Sequence, residues 1–133
     1  MPRACASLRL LVAALLLAAP LAGQEGHPLV GTWRGSYGSA AGQRTDVTFV
    51  MEWDGKAASG LINPGLDAIR IQTVALDPAA WTVRIEAEAK RQAGPSRIVI
   101  DAKFEDITSR RRALAGTWTE GGVRSDFRIT RDR

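Results

Sequence analysis

From Trp81 to Lys90 the chain alternates strictly between apolar and polar side chains. Trp81, Val83, Ile85, Ala87 and Ala89 fall on one face, and Thr82, Arg84, Glu86, Glu88 and Lys90 on the other. Successive side chains of a strand point to opposite faces, so this period predicts a strand with one face buried. A helix would scatter the charges over all sides. Asp77-Pro78-Ala79-Ala80, just before it, predicts one capped helical turn.

The same period recurs along the chain. Val47, Phe49, Met51 and Trp53 are in phase within Arg44 to Trp53, as are Ile98, Ile100, Ala102 and Phe104 within Ser96 to Glu105. Further strands are predicted over Gly31–Tyr37, Ala57–Ile62, Ala68–Leu76, Ala113–Thr119 and Val123–Thr130. Turn residues separate them. Asp54-Gly55 marks a tight turn, because glycine accepts the positive φ that a primed hairpin needs. Asn63-Pro64-Gly65 combines a proline corner with a glycine corner, and Glu120-Gly121-Gly122 is a third turn.

Eight strands with short links pair antiparallel with their neighbours. An open meander leaves two exposed edges, and closure into an up-and-down barrel removes both. The expected fold is therefore all-β, an eight-stranded antiparallel barrel, with a two-sheet sandwich as the alternative. Charge predicts one register. Glu88 opposite Arg97 sets Arg84 opposite Asp101 and Ile85 opposite Ile100, whereas a two-residue shift sets like charges opposite each other.

The start of the chain does not fit this pattern. Arg3 and Arg9 precede an apolar run from Leu10 to Ala19, which Pro20 breaks, and Ala22 and Gly23 offer a cleavage point. This is the pattern of a secretory signal, and the run is about half of the ~20 residues that span a bilayer. The expected organisation is a signal peptide over 1–23, a flexible N-terminal arm over 24–29 and one barrel domain over 30–133, in a protein exported to the periplasm or beyond. The whole chain has 18 basic and 14 acidic side chains. Without Arg3 and Arg9 the mature part carries a net charge of +2, too balanced to point to nucleic acid. The only cysteine, Cys5, leaves with the signal, so neither a disulfide nor a thiolate site is expected.

Gly31-Thr32-Trp33 opens the barrel region and Gly116-Thr117-Trp118 recurs near its end. Glycine permits a bend or a close approach, and tryptophan fills a barrel end with one rigid body. A glycine-x-tryptophan opening resembles the calycin group of lipocalins, fatty-acid-binding proteins and avidins. That resemblance implies Trp33 packed across the closed end of the barrel, with Arg128 or Arg131 from the last strand against it. No match to a biotin-contacting pattern accompanies it. The longer set Gly31 to Gly35, Trp53 to Lys56, Ile62 to Ala68 and Gly116 to Thr119 also resembles small exported bacterial proteins to which no activity is assigned.

Groups that announce chemistry are scarce. His27 is the only histidine and falls on the expected arm, which leaves no base for a nucleophilic triad and no nitrogen-and-sulfur metal site. Asp54 and Asp67 sit in turns, where acids commonly bond locally. Glu86 and Glu88 share a solvent-facing strand face, a weak setting for paired-carboxylate catalysis. Arg110-Arg111-Arg112 reads as a solvated loop or as a docking patch for an anionic partner such as a lipid headgroup or a polysaccharide, and no aromatics are interleaved with it as single-strand nucleic acid would require. The expectation is a non-enzymatic domain without cofactor or metal, which binds a small ligand or a protein. Trp33, Tyr37, Trp53, Asn63, Asp67, Trp81 and Trp118 are the candidate binding residues. The alternative is a protein–protein module, such as an envelope accessory domain or an inhibitor of an exported hydrolase that uses residues 24–28 as an inserting arm.

Overall fold

The computed structural model describes residues 27–39 and 41–132. The expected signal segment and the first three residues of the arm lie outside the described residues. Each predicted strand forms, with ends within two residues of the expectation. They are β1 (Gly31–Gly38), β2 (Arg44–Trp53), β3 (Ala58–Ile62), β4 (Ile69–Asp77), β5 (Thr82–Arg91), β6 (Gly94–Glu105), β7 (Ala113–Glu120) and β8 (Val123–Arg131). Sequential strands pair antiparallel, and β1 also pairs with β8, so the sheet closes into a barrel rather than folding as a sandwich.

The charge-based register is observed. Glu88 lies opposite Arg97, Arg84 opposite Asp101 and Ile85 opposite Ile100. Arg84 grips Asp101 with two hydrogen bonds of 2.7 and 3.0 Å. Both groups are exposed, so the pair selects register more than it stabilises.

The inward positions of all eight strands make one core. Trp33, Phe49, Ile62, Ile85, Ile98, Ile100, Leu114, Trp118, Phe127 and Ile129 are all fully buried. An eight-stranded barrel is just wide enough for its side chains to fill it. Ring contacts tie the filling together. Phe49 meets Phe127 at 5.8 Å, and Trp118 meets Phe127 at 6.2 Å. No polar or charged residue is buried among the described residues.

Two tryptophans from the repeated motif serve opposite ends. Trp33 lies two residues into β1 and Trp118 five residues into β7, and both strands run in the same direction. The two glycines act differently. Gly31 takes φ +129°, a bend that side chains disfavour. Gly116 faces inward opposite Ala102, where an added Cβ would run into the Asp101 carbonyl oxygen.

Four expectations need correction. Residues 27–29 of the expected flexible arm are docked. Leu29 is fully buried, its carbonyl accepts the Trp33 indole N–H at 2.8 Å, and Arg112 donates to the Pro28 carbonyl at 3.2 Å. The expected helical turn at 77–80 is instead the β4–β5 turn, in which the Asp77 carboxylate accepts the Ala79 amide at 3.0 Å. Trp81 belongs to that turn and not to β5. Its φ of +52° takes it out of strand geometry, and its ring stands half-exposed and edge-on to Phe104 at 5.9 Å. The Asp54-Gly55 turn also runs over four residues, because the Asp54 carboxylate caps the Lys56 and Ala57 amides.

Replacing Gly116 by alanine forces β7 away from β6. The expected loss is about 3 kcal/mol, at the upper end of ordinary overpacking, or a Tm drop of about 12 °C or more. A thermal melt of Gly116→Ala checks this, with Gly55→Ala as the comparison. An added Cβ at Gly55 meets nothing, although its φ of +96° carries some strain.

Candidate functional site

The antiparallel meander sends the expected binding residues to two ends. Trp33, Trp53 and Trp81 lie at the end where β1 begins. Tyr37, Asn63, Asp67 and Trp118 lie towards the other, where β1 finishes. They do not form one site.

At the Tyr37 end the last inward layer is polar. Tyr37, Thr45, Arg91, Ser96, Glu120 and Ser125 all carry the inward parity of their strands. Tyr37 stacks flat on Trp118, with ring centroids 3.9 Å apart and planes 2° from parallel. Below it Trp118 is fully buried, and its indole N–H donates to the Glu120 carboxylate at 3.1 Å. Arg91 holds the same carboxylate with two bonds of 2.8 and 3.0 Å. Tyr37, Ser96, Trp118, Glu120, Val123 and Ser125 border a depression of about 340 Å³.

This network holds its charges in place. The Arg91 guanidinium, aided by the Trp118 and Ser96 donors, lowers the Glu120 carboxyl below its ordinary value. Glu120 in turn raises the Arg91 guanidinium. The bidentate fork fixes both side chains over the buried indole. Arg91 also borders a larger, open depression of about 970 Å³ between the 63–68 loop and the end of β5. The Arg91–Glu120 pair therefore lies between the two depressions.

Asp67 lines the larger depression, and Asn63 opens the same loop. Asn63 takes φ +53°, and its side-chain oxygen accepts the Thr48 amide at 3.0 Å, so it extends the β2–β3 ladder by one residue. Asp67 is exposed, and Leu66 beside it is fully exposed at the loop tip. Arg91, Ser96 and Glu120 are missing from the sequence reading. Ser96 falls within a predicted strand, whereas Arg91 and Glu120 each lie one residue beyond a predicted strand end, and the convergence of all three depends on barrel curvature.

The Trp33 end is plugged. Trp33 packs against Phe104 at 6.3 Å, beneath Leu29. Arg131 is its register partner on β8, whereas Arg128 reaches outward to Glu105. The expected basic neighbour of Trp33 is thus Arg131 by register. Trp53 meets His27 at 4.9 Å with the rings tilted by 30°, and burial lowers the imidazole's pKa. On the wall, Glu86 accepts from Thr73 and Arg97, which separates its role from that of Glu88. Among the described residues, no three His, Cys, Asp or Glu side chains group as metal ligands.

The fold and this mouth define a closed eight-stranded antiparallel barrel with an apolar filling and one polar opening. No protein family model, curated protein or solved structure matches the chain.

The Glu120 network predicts a pH dependence. The folded carboxyl titrates below its usual 4.5, so its contribution to stability is present above that pH and is lost as the pH falls through the folded value. Glu120→Gln is expected to flatten the acid side of a Tm-against-pH curve taken from about pH 7 to about pH 3. An unchanged slope would mean that Arg91 and Glu120 are not paired in solution.

Proposed function

We propose that this is a non-enzymatic, exported barrel of calycin type that binds a small ligand or a partner at its polar mouth and not inside the barrel. The observation that carries this reading is the contrast between interior and mouth. The interior is filled by aromatic and aliphatic side chains, with no polar or charged residue buried among the described residues, so little there can orient a polar ligand. At the mouth, Tyr37, Arg91, Ser96 and Glu120 offer a ring face, a guanidinium, a hydroxyl and a carboxylate together.

A protein partner is the second reading, and Leu66 favours it. A fully exposed leucine at the tip of a mouth loop is an apolar prong suited to a partner's pocket. This version uses the mouth and not an N-terminal arm, since residues 27–29 are held on the barrel.

Native mass spectrometry of the protein purified from its own envelope fraction tests both. A small molecule retained by the natural chain and lost from Arg91→Ala supports the first reading. A protein retained by the natural chain and lost from Leu66→Asp supports the second. A molecule that survives both substitutions places recognition elsewhere and overturns the proposal.

A further inference from the structure

The arginines divide unevenly around the barrel. Arg34, Arg44, Arg84, Arg91, Arg97 and Arg128 each pair with a carboxylate. Among the described residues, Arg70, Arg110, Arg111, Arg112, Arg124 and Arg131 have none within ion-pair distance. Four of these six gather at the Trp33 end. Arg131 donates to the carbonyls of Arg110 and Val30, and Arg112 to those of Ser109 and Pro28. Carbonyls fix these two guanidinium groups without neutralising them. Burial, with a smaller contribution from the Arg131 charge, pushes the Arg112 guanidinium down.

The acids nearby offset this only in part. Asp132, which shares a depression of about 490 Å³ with Arg110, Arg111 and Arg131, is taken by Arg34 at 2.7 Å. Asp54 and Asp77 hold their carboxylates on amides of their own turns and keep their negative charge. Glu52 is the last residue but one of β2 at this end, and Asp106 is the one acid in the arginine loop.

The same end displays apolar groups. Val30, Trp53 and Trp81 are each 37% exposed there. Tryptophan at the boundary between apolar and polar phases, beside arginine, is the composition of a membrane-interface surface.

We propose that the Trp33 end of the barrel docks on an anionic membrane surface. Arg110, Arg111 and Arg131 meet lipid phosphates, and Val30, Trp53 and Trp81 rest at headgroup level. The barrel then stands with its polar mouth turned away from the bilayer. This site lies at the opposite end from the mouth, so the two proposals fail independently.

Vesicle flotation tests the docking. The probes are vesicles of phosphatidylglycerol mixed with phosphatidylcholine, and vesicles of phosphatidylcholine alone. Residues 24–133 are used beside the full chain, since the barrel and its plug are complete within residues 27–132. Residues 24–133 are expected to float with the mixed vesicles at low salt and to be released as salt rises. Arg110→Ser with Arg111→Ser should weaken partitioning about thirty-fold, the equivalent of about 1 kcal/mol for each arginine near such a surface. Arg70→Ser with Arg124→Ser removes the same charge from the barrel wall and should change partitioning less than three-fold, about the effect of distant charges under screening. Equal loss in both double variants would reduce the effect to net charge and overturn the proposal. So would failure of residues 24–133 to float, or binding to a sulfated polysaccharide without binding to vesicles.

Discussion

The structure depends on β1 lying against β8. Those two strands are 98 residues apart between Arg34 and Asp132, which form an ion pair beside the seam. The pairing runs from Trp33 opposite Arg131 to Gly38 opposite Asp126. It converts two unprotected edges into one more ladder. Gly35 permits it, since a Cβ at that position would run into the Arg128 carbonyl oxygen. Once β1 and β8 meet, each inward side chain has a cylinder to fill. Trp33, Phe49, Trp118 and Phe127 then supply the bulk that eight strands can just enclose. The barrel is not equally tight all round. β3 and β4 pair only at Leu61 with Arg70 and at Ile62 with Ile69, and β4 bulges between Ile71 and Thr73.

A filled barrel moves recognition to its ends, and the two ends differ because their plugs differ. At one, the chain itself closes the barrel, with Leu29 seated over Trp33 and held by the indole N–H. At the other, Tyr37 lies flat on Trp118 and no backbone crosses it within the described residues. An indole N–H needs a partner when it is buried. Trp33 finds a carbonyl, and Trp118 finds a carboxylate. That carboxylate then draws in Arg91, which leaves the Tyr37 end with a fixed pair of opposite charges. The chemistry of the mouth follows from how one buried tryptophan satisfies its donor.

The fold was legible wherever a local period decided it. β5 and β6 could be paired to the residue, because Arg84 and Asp101 sit on the solvent face in a strict alternation. The Asn63-Pro64-Gly65 corner was legible from turn chemistry, and positive φ occurs at Asn63 and Gly65. Trp81 misled because apolar phase alone cannot see a positive φ at the end of a turn. Residues 27–29 read as a loose arm because Pro28 and His27 are polar-loop residues, and a single Leu29 gave no pattern. Its burial comes from Trp33 and Arg112, which no local reading joins to it. The site was half legible. Tyr37 and Trp118 could be chosen as aromatics. Arg91 and Glu120 are 29 residues apart and separated by β6, so only barrel curvature brings them together.

Net charge hides what pairing reveals. The barrel region has a nearly even balance of acids and bases, which argues for no particular partner. Pairing is local, and it consumes the balance unevenly. Along the wall, cross-strand geometry lets arginines such as Arg84 and Arg97 find carboxylates. At the Trp33 end, the 106–112 loop and the end of β8 have no such lattice of opposed side chains. Arg112 and Arg131 instead serve as backbone clamps on the plug, bonding the carbonyls of Pro28 and Val30. A guanidinium spent on a carbonyl keeps its full charge. Holding the chain's entry segment in place therefore leaves a cluster of guanidinium groups without carboxylate partners at that end. The same contacts that seal one end of the barrel make that end the one suited to an anionic surface.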